Sequence, residues 1–257
     1  MIGAITGDIV GSIYEHRPIK RTDFPLFGRS CRFTDDTVLT VAVADAILCG
    51  APYAEKLREW HALYPHAGYG GSFRRWASTP GAGPYNSWGN GSAMRVSPVG
   101  YAFDTIGCVL DQAARSAEVT HNHPEGIKGA SAVAAAIFMA RTGSSKHDIG
   151  GFVESEFGYD MSRTIDGIRP SYRFDVSCQG SVPEALMAFM ESVDFEDAVR
   201  KAVSLGGDSD TIACIAGAVA EAFYGGVPGS IRARALAHLD DRLRGVVGRF
   251  VERYGAG

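Results

Sequence analysis

Four aspartates in two clusters are the residues best suited to chemistry. Asp35 and Asp36 lie in Phe33-Thr34-Asp35-Asp36-Thr37; Asp208 and Asp210 lie in Gly206-Gly207-Asp208-Ser209-Asp210-Thr211. Each cluster runs into a strongly apolar segment. Taken singly, each reads as a helix N-cap, where Ser, Thr and Asp satisfy free N–H groups and suit the helix dipole. Taken together they suggest more. Helices too apolar for a surface bury their ends as well. Four carboxylates at one interior site are costly unless compensated, and a cation is the natural compensation. Carboxylates with adjacent Thr hydroxyls are hard oxygen donors, suited to Mg²⁺, Mn²⁺ or Ca²⁺ rather than Zn²⁺. Four negative charges balance two divalent ions, so the pattern fits a bridged two-metal site.

Three further stretches carry polar chemistry. In Asn86-Ser87-Trp88-Gly89-Asn90-Gly91-Ser92-Ala93-Met94-Arg95 the glycines permit close backbone approach and Arg95 adds a cation, so the loop reads as a phosphate cradle or as an ordinary turn. Thr120-His121-Asn122-His123-Pro124-Glu125-Gly126 contains an HxH pair, but no third nitrogen or sulfur ligand follows at zinc spacing. A histidine there hydrogen-bonds a ligand, or the segment is a loop before a helix. In Gly7-Asp8-Ile9-Val10-Gly11-Ser12-Ile13-Tyr14-Glu15 the small residues allow tight helix packing. Asp8 reads as a hydrogen-bonding anchor. Glu15, at the end of that helix, reads as a general acid/base, an extra metal ligand or a surface residue. Trp76, Trp88, Tyr85 and Tyr172 are candidates to stack on a base, with packing as the default.

The elements that must position these groups are helical. Thr37–Leu48, Thr211–Tyr224 and Gly129–Arg141 are apolar nearly all round and predict buried helices. Tyr53–Leu63, Gly107–Glu118, Val182–Met190, Phe195–Ser204 and Leu239–Tyr254 predict amphipathic ones, with Pro183 in a first turn. Ser171–Ser177 alternates like a strand, but nothing nearby pairs with it, and an ordered loop is preferred. Ser78–Gly91 is the longest predicted loop, read as a functional loop rather than a domain linker. The expected architecture is all-α, a compact orthogonal multi-helix bundle forming one domain over residues 1–257.

Composition narrows the classes. The chain has 257 residues, 46% of them hydrophobic, enough for a substantial core. A net charge of −4 argues against a broad basic nucleic-acid surface. The longest apolar or small run, Gly129–Ala140, is too short to span a bilayer. The N-terminus lacks a basic n-region and is not a signal peptide. Five scattered cysteines without a CxxC fit reduced thiols in a cytoplasmic protein.

These motifs, in this order, resemble the ADP-ribosylglycohydrolase family, including its dinitrogenase-reductase-activating type. The carriers are Gly7-Asp8 through Glu15, FTDDT, WGNGSAMR, the Thr120-His121 segment and GGDSDT. The resemblance implies an all-α fold and a binuclear Mg²⁺ or Mn²⁺ centre that removes ADP-ribose from modified side chains or small molecules. By the same resemblance Thr34, Asp35 and Asp36 bind one metal, Asp208 and Thr211 the other, and Asp210 bridges. Ser87 to Ser92, with Gly89, Asn90 and Gly91 between them and Met94 just beyond, would hold the diphosphate and adjoining ribose. His121 would contact the ligand, and Glu15 matches a functional glutamate. Glycosidic cleavage at a ribose anomeric carbon passes through an oxocarbenium-like state. Asp35 or Asp36 is then the candidate base, with Glu15 assisting proton transfer. The implied partners are ADP-ribosylated proteins or small molecules, with no membrane, and with nucleic acid only as an ADP-ribosylated substrate. The competing readings are a two-metal nucleotide phosphohydrolase and a non-catalytic ADP-ribose-binding protein. His147-Asp148 stands alone, without the histidine–aspartate set many phosphohydrolases use.

Overall fold

The computed structural model describes residues 1–255. Among these, fifteen helices follow one another: α1 Ile2–Gly11, α2 Asp35–Cys49, α3 Tyr53–Leu63, α4 Gly71–Ser78, α5 Gly91–Met94, α6 Ser97–Ala102, α7 Ile106–Glu118 and α8 Pro124–Arg141; then α9 Lys146–Phe157, α10 Ile165–Ile168, α11 Cys178–Met190, α12 Phe195–Ser204, α13 Ser209–Phe223, α14 Gly229–Ala237 and α15 Asp241–Tyr254. No strand is present among them, so the all-α expectation holds. One hydrophobic core runs through α1, α2, α8, α11, α12 and α13.

The innermost helices owe their position to side-chain size. Gly3, Gly7 and Gly11 repeat every four residues, so they share one face of α1. A Cβ at Gly7 would lie 1.9 Å from the Ala213 carbonyl oxygen, and one at Gly3 2.2 Å from that of Gly217. One at Gly11 would lie 2.4 Å from the Ser209 oxygen. Only glycine lets α1 lie backbone to backbone on α13. That contact carries Asp8 and the residues after α1 to the start of α13. Helix α2 is capped at its start by Thr34, whose hydroxyl accepts the Asp36 N–H at 3.3 Å, and at its end by Gly50 in the left-handed region.

Several boundaries differ from expectation. Helix α11 starts at Cys178, so Pro183 sits in its sixth position rather than in a first turn. The bond it forgoes is to Gln179, an exposed residue. Helix α15 starts at Asp241, because Asp240 turns its carboxylate back to the Leu243 N–H at 3.0 Å and caps the helix. The longest connection is residues 12–34, not Ser78–Gly91. Its Phe24, Phe27 and Cys31 are buried, and Arg200 donates to the carbonyls of Thr22 and Phe24 at 3.0 and 2.7 Å. Those anchors replace regular structure. Residues 171–177 form an ordered segment with a single antiparallel bridge, Gly89 to Ser177.

Candidate active site

A cleft of about 540 Å³ opens where α2, α5 and α13 meet. The two acidic clusters, distant in sequence, converge on its floor. Asp36, Asp208 and Asp210 are buried, and Asp35 is half-buried. Thr211 Oγ1 lies 3.4 Å from Asp36 Oδ2, joining the starts of α13 and α2. Carboxylate oxygens of Asp8, Asp36 and Asp210 lie within 4.8 Å of one another, and so do those of Glu15, Asp208 and Asp210. Asp210 belongs to both groups.

Capping explains part of this and fails for the rest. Thr34 does cap α2, and its hydroxyl donates to Asp8 Oδ1 at 2.6 Å. Asp208 occupies the cap position of α13 but makes no side-chain cap bond. It instead accepts from Asn90 Nδ2 at 2.7 Å. Asp36 Oδ1 is buried with no partner at all. An orphaned carboxylate oxygen in the interior is strongly unfavourable. Burial raises the carboxyls of Asp36 and Asp210 well above the ordinary range, and neighbouring aspartates push them further. Asp208 is raised by burial too, against its hydrogen bonds to Asp210, Asn90 and Thr211. Among the described residues, no cationic side chain is among the main influences on Asp36 or Asp210. The donor set is all oxygen, so the residues fit hard divalent cations.

Asp8 plays the anchoring part. Its oxygens accept from the Thr34 N–H at 2.9 Å, the Thr37 N–H at 3.1 Å and both hydroxyls. Four hydrogen bonds to one carboxylate fix the first turn of α2 against α1. Glu15 lines the cleft but lies four residues beyond the end of α1, in the long connection. Burial raises its carboxyl, and Asp208 adds to the rise.

The loop before α5 forms one wall. Ser87, Gly89, Asn90, Gly91 and Met94 line the cleft with Arg95 and His121. The Ser92 side chain does not: it is fully buried behind the loop, where its hydroxyl donates to the Gly126 carbonyl at 2.7 Å. It supports the loop rather than facing a ligand. A Cβ at Gly91 would stand 3.0 Å from His121 Nε2, so any larger residue there would press on the imidazole. Burial, with Arg95 nearby, holds His121 well below its usual range, so the ring is neutral at physiological pH. Its Nδ1 lies 2.7 Å from Thr120 Oγ1, which accepts from Arg95 Nη2 at 2.8 Å. His123 turns away and caps α8 by accepting the Glu125 N–H at 3.1 Å. The HxH pair therefore splits, and zinc has no site there.

Of the aromatic candidates, Tyr85 lines the cleft, Trp88 stands 54% exposed on the loop, and Trp76 is core. The opposite wall escaped the sequence reading. Phe174 and Val176, both about half exposed, face the cleft from the 171–177 segment. That segment is pinned by the Asn90 N–H donating to the Val176 carbonyl at 2.8 Å, and by the Cys178 N–H donating to that of Trp88 at 2.9 Å. His66, Gly68 and Phe73 close a third side. Only the glycine-dense HAGYGG stretch could have signalled them.

Several known proteins are similar to this chain in sequence and fold. Human ADP-ribosylhydrolase ARH3 is 26% identical, over 88% of this chain and 84% of its own length. ADP-ribosylarginine hydrolase Tri1 of Pseudomonas putida is also 26% identical, over 88% of this chain and 69% of its own. A solved structure titled ADP-ribosylglycohydrolase-related protein complex superposes with a TM-score of 0.70 at 27% identity, covering 92% of this chain and 95% of that one. The sequence model of the ADP-ribosylglycohydrolase family matches residues 1–256. With both acidic clusters converging in one cleft and the match running nearly end to end, the chain belongs to the ADP-ribosylglycohydrolase family.

Proposed function

We propose that the protein is a divalent-cation-dependent hydrolase that cleaves the glycosidic bond between ADP-ribose and a modified side chain or small molecule. The observation that carries this is the buried, uncompensated carboxylate cluster on the floor of a cleft walled by a glycine-rich loop. Thr34, Asp35, Asp36, Asp208, Asp210 and Thr211 would hold two ions, Mg²⁺ or Mn²⁺. Bound there, the ions supply charge compensation, grip on the ribose diol and Lewis-acid activation of water.

The chain's own groups do the rest. Ser87, Gly89, Asn90 and Gly91 hold the diphosphate side through backbone and small polar groups, on a loop propped by Ser92. Neutral His121 offers one ring nitrogen toward the same loop. Arg95 places a positive charge beneath it. Asp35 or Asp36 accepts the proton of the attacking water, whose oxygen bonds to the anomeric carbon as the bond to the leaving group breaks. The leaving atom takes a proton that Glu15, half-buried and raised, is placed to carry. The products are free ADP-ribose and the unmodified acceptor.

The relatives' names, ADP-ribosylhydrolase and ADP-ribosylarginine hydrolase, support an ADP-ribosylated acceptor as the substrate. No helix among the described residues is long and apolar enough to cross a membrane, and the five cysteines are free, which suits a reducing cytoplasm. The test is to incubate the purified protein and Mg²⁺ with defined ADP-ribose conjugates and weigh the products. Free ADP-ribose is expected. Released phosphate or AMP would favour the phosphohydrolase reading, and ADP-ribose binding without turnover the non-catalytic one.

A further inference from the structure

Arg95 is a fully buried cation whose hydrogen bonds reach no carboxylate. Its Nη2 donates to the Ser116 carbonyl and to Thr120 Oγ1, both at 2.8 Å. Nε and Nη1 are buried without a partner. A guanidinium held on these terms is costly. The bond to Ser116 satisfies a free carbonyl in the last turn of α7, a task open to any donor. The bond to Thr120 does something more specific.

A guanidinium only donates, so Thr120 Oγ1 accepts from it and keeps one proton of its own to place. His121 Nδ1 lies 2.7 Å from that oxygen. The Tyr85 phenol is the other group near the hydroxyl. A neutral imidazole nitrogen accepts far better than a phenol oxygen, so the Thr120 proton points to Nδ1. A ring nitrogen that accepts carries no hydrogen, which puts the single proton of the neutral imidazole on Nε2. His121 is only 5% exposed, yet it lines the cleft. Nε2 lies beneath the glycines of the loop: a Cβ at Gly91 would stand 3.0 Å from it, and one at Gly89 3.7 Å. Among the described residues Nε2 has no hydrogen-bond partner, whereas Nδ1 has Thr120.

We propose that Arg95 and Thr120 are positioning residues that hold His121 in its Nε2–H tautomer, so that the cleft offers a donor to an oxygen of ADP-ribose at the Gly89–Gly91 loop. The inference rests on the glycohydrolase reading. The opposite tautomer would present a lone pair at the same place and select a ligand N–H or O–H instead. Arg95 never touches the ligand in this scheme. It fixes the direction of one hydroxyl, and the hydroxyl fixes the ring.

Nitrogen-15 NMR of the full chain labelled at histidine, with His121→Asn to assign the signals, reads the tautomer. Calorimetry with ADP-ribose and Mg²⁺ reads its use. Wild type should show a protonated Nε2 and a bare Nδ1. Thr120→Val keeps the shape but removes the donor to Nδ1. It should populate both tautomers and weaken ADP-ribose binding about fivefold, one neutral hydrogen bond. Thr120→Ser returns the hydroxyl and should return both properties. A protonated Nδ1 in wild type would overturn the inference, whether or not any variant folds. So would an unchanged tautomer or unchanged affinity in Thr120→Val, or a loss that Thr120→Ser shares. A wild type that shows the Nε2–H tautomer but binds no ADP-ribose would instead count against the glycohydrolase reading.

Discussion

Helices α1 and α13 lie together along their whole length and bury carboxylates at both ends, on opposite terms. At one end Glu221 accepts the N–H groups of Ile2 and Gly3 at 3.1 and 2.8 Å and pairs with the Met1 amine. Every formal charge there has a partner within the chain, and the carboxylate sits where the α1 dipole favours it. About 16 Å away along α13, at ~1.5 Å per residue, Asp210 meets Asp8, Asp36, Asp208 and Glu15 with no cation facing it. The first arrangement is a structural pair. The second is incomplete without something from outside. Both ends bury carboxylates, so compensation is what marks a site.

This contrast can be broken from either side. The largest effect is expected from Asp210→Asn, which removes the charge shared by both carboxylate groups. Turnover should fall to background while far-UV circular dichroism stays native. Glu15→Gln keeps shape but loses the titratable group, and turnover should drop roughly 10²–10⁴-fold, the usual acid/base contribution. Rates at two Mg²⁺ concentrations separate roles: a loss rescued by excess metal makes Glu15 a ligand, and a rate near wild type at both removes it from the mechanism.

At the compensated end, Glu221→Ala leaves the Met1 amine and two N–H groups buried and unpaired. Chemical denaturation should show a loss of about 3–5 kcal/mol. The folded fraction should keep its kcat, which sets structural and catalytic carboxylates apart in one comparison. Gly91→Val drives a branched side chain toward His121, and calorimetry should show ADP-ribose binding weakened about tenfold, one poorly made contact.

The smallest effect is on melting temperature. Asp36, Asp208 and Asp210 are raised by burial, and Asp35 is pushed up to about 8 by burial and Asp8. A raised acid is an asset only while protonated. In chelator, stability should be highest near the ordinary carboxylate value of 3.8 and fall as pH rises toward about 8. Saturating Mg²⁺ should flatten that slope, and an equal slope with and without Mg²⁺ would count against cation compensation.

Much of this was legible in the residues because it is local. The apolar runs at Thr37–Leu48 and Thr211–Tyr224 mark α2 and α13, and the acidic clusters before them mark the floor of the cleft. Asp8 reads as an anchor because a lone acid among small residues has little else to do. Phe174 and Val176 were not legible. Their roles come from the 171–177 segment, held by two backbone bonds to the loop at Trp88 and Asn90, and no periodicity encodes such bonds. Ser92 was misplaced for a related reason: a motif locates a residue but not the side its hydroxyl faces. Glu221 is a lone charge late in an apolar helix, and its role depends on the start of α1 lying against it, a contact that local sequence does not encode.

The most direct measurement is Mn²⁺ binding to the metal-stripped protein, followed by electron paramagnetic resonance. Wild type should take up about two ions per chain, the number that four carboxylates balance. Asp36→Asn and Asp210→Asn should each lose at least one, and Glu221→Gln none. Stoichiometric binding that survives both aspartate variants, or no binding by the folded wild type, would contradict the assignment of the acidic cluster as a cation centre.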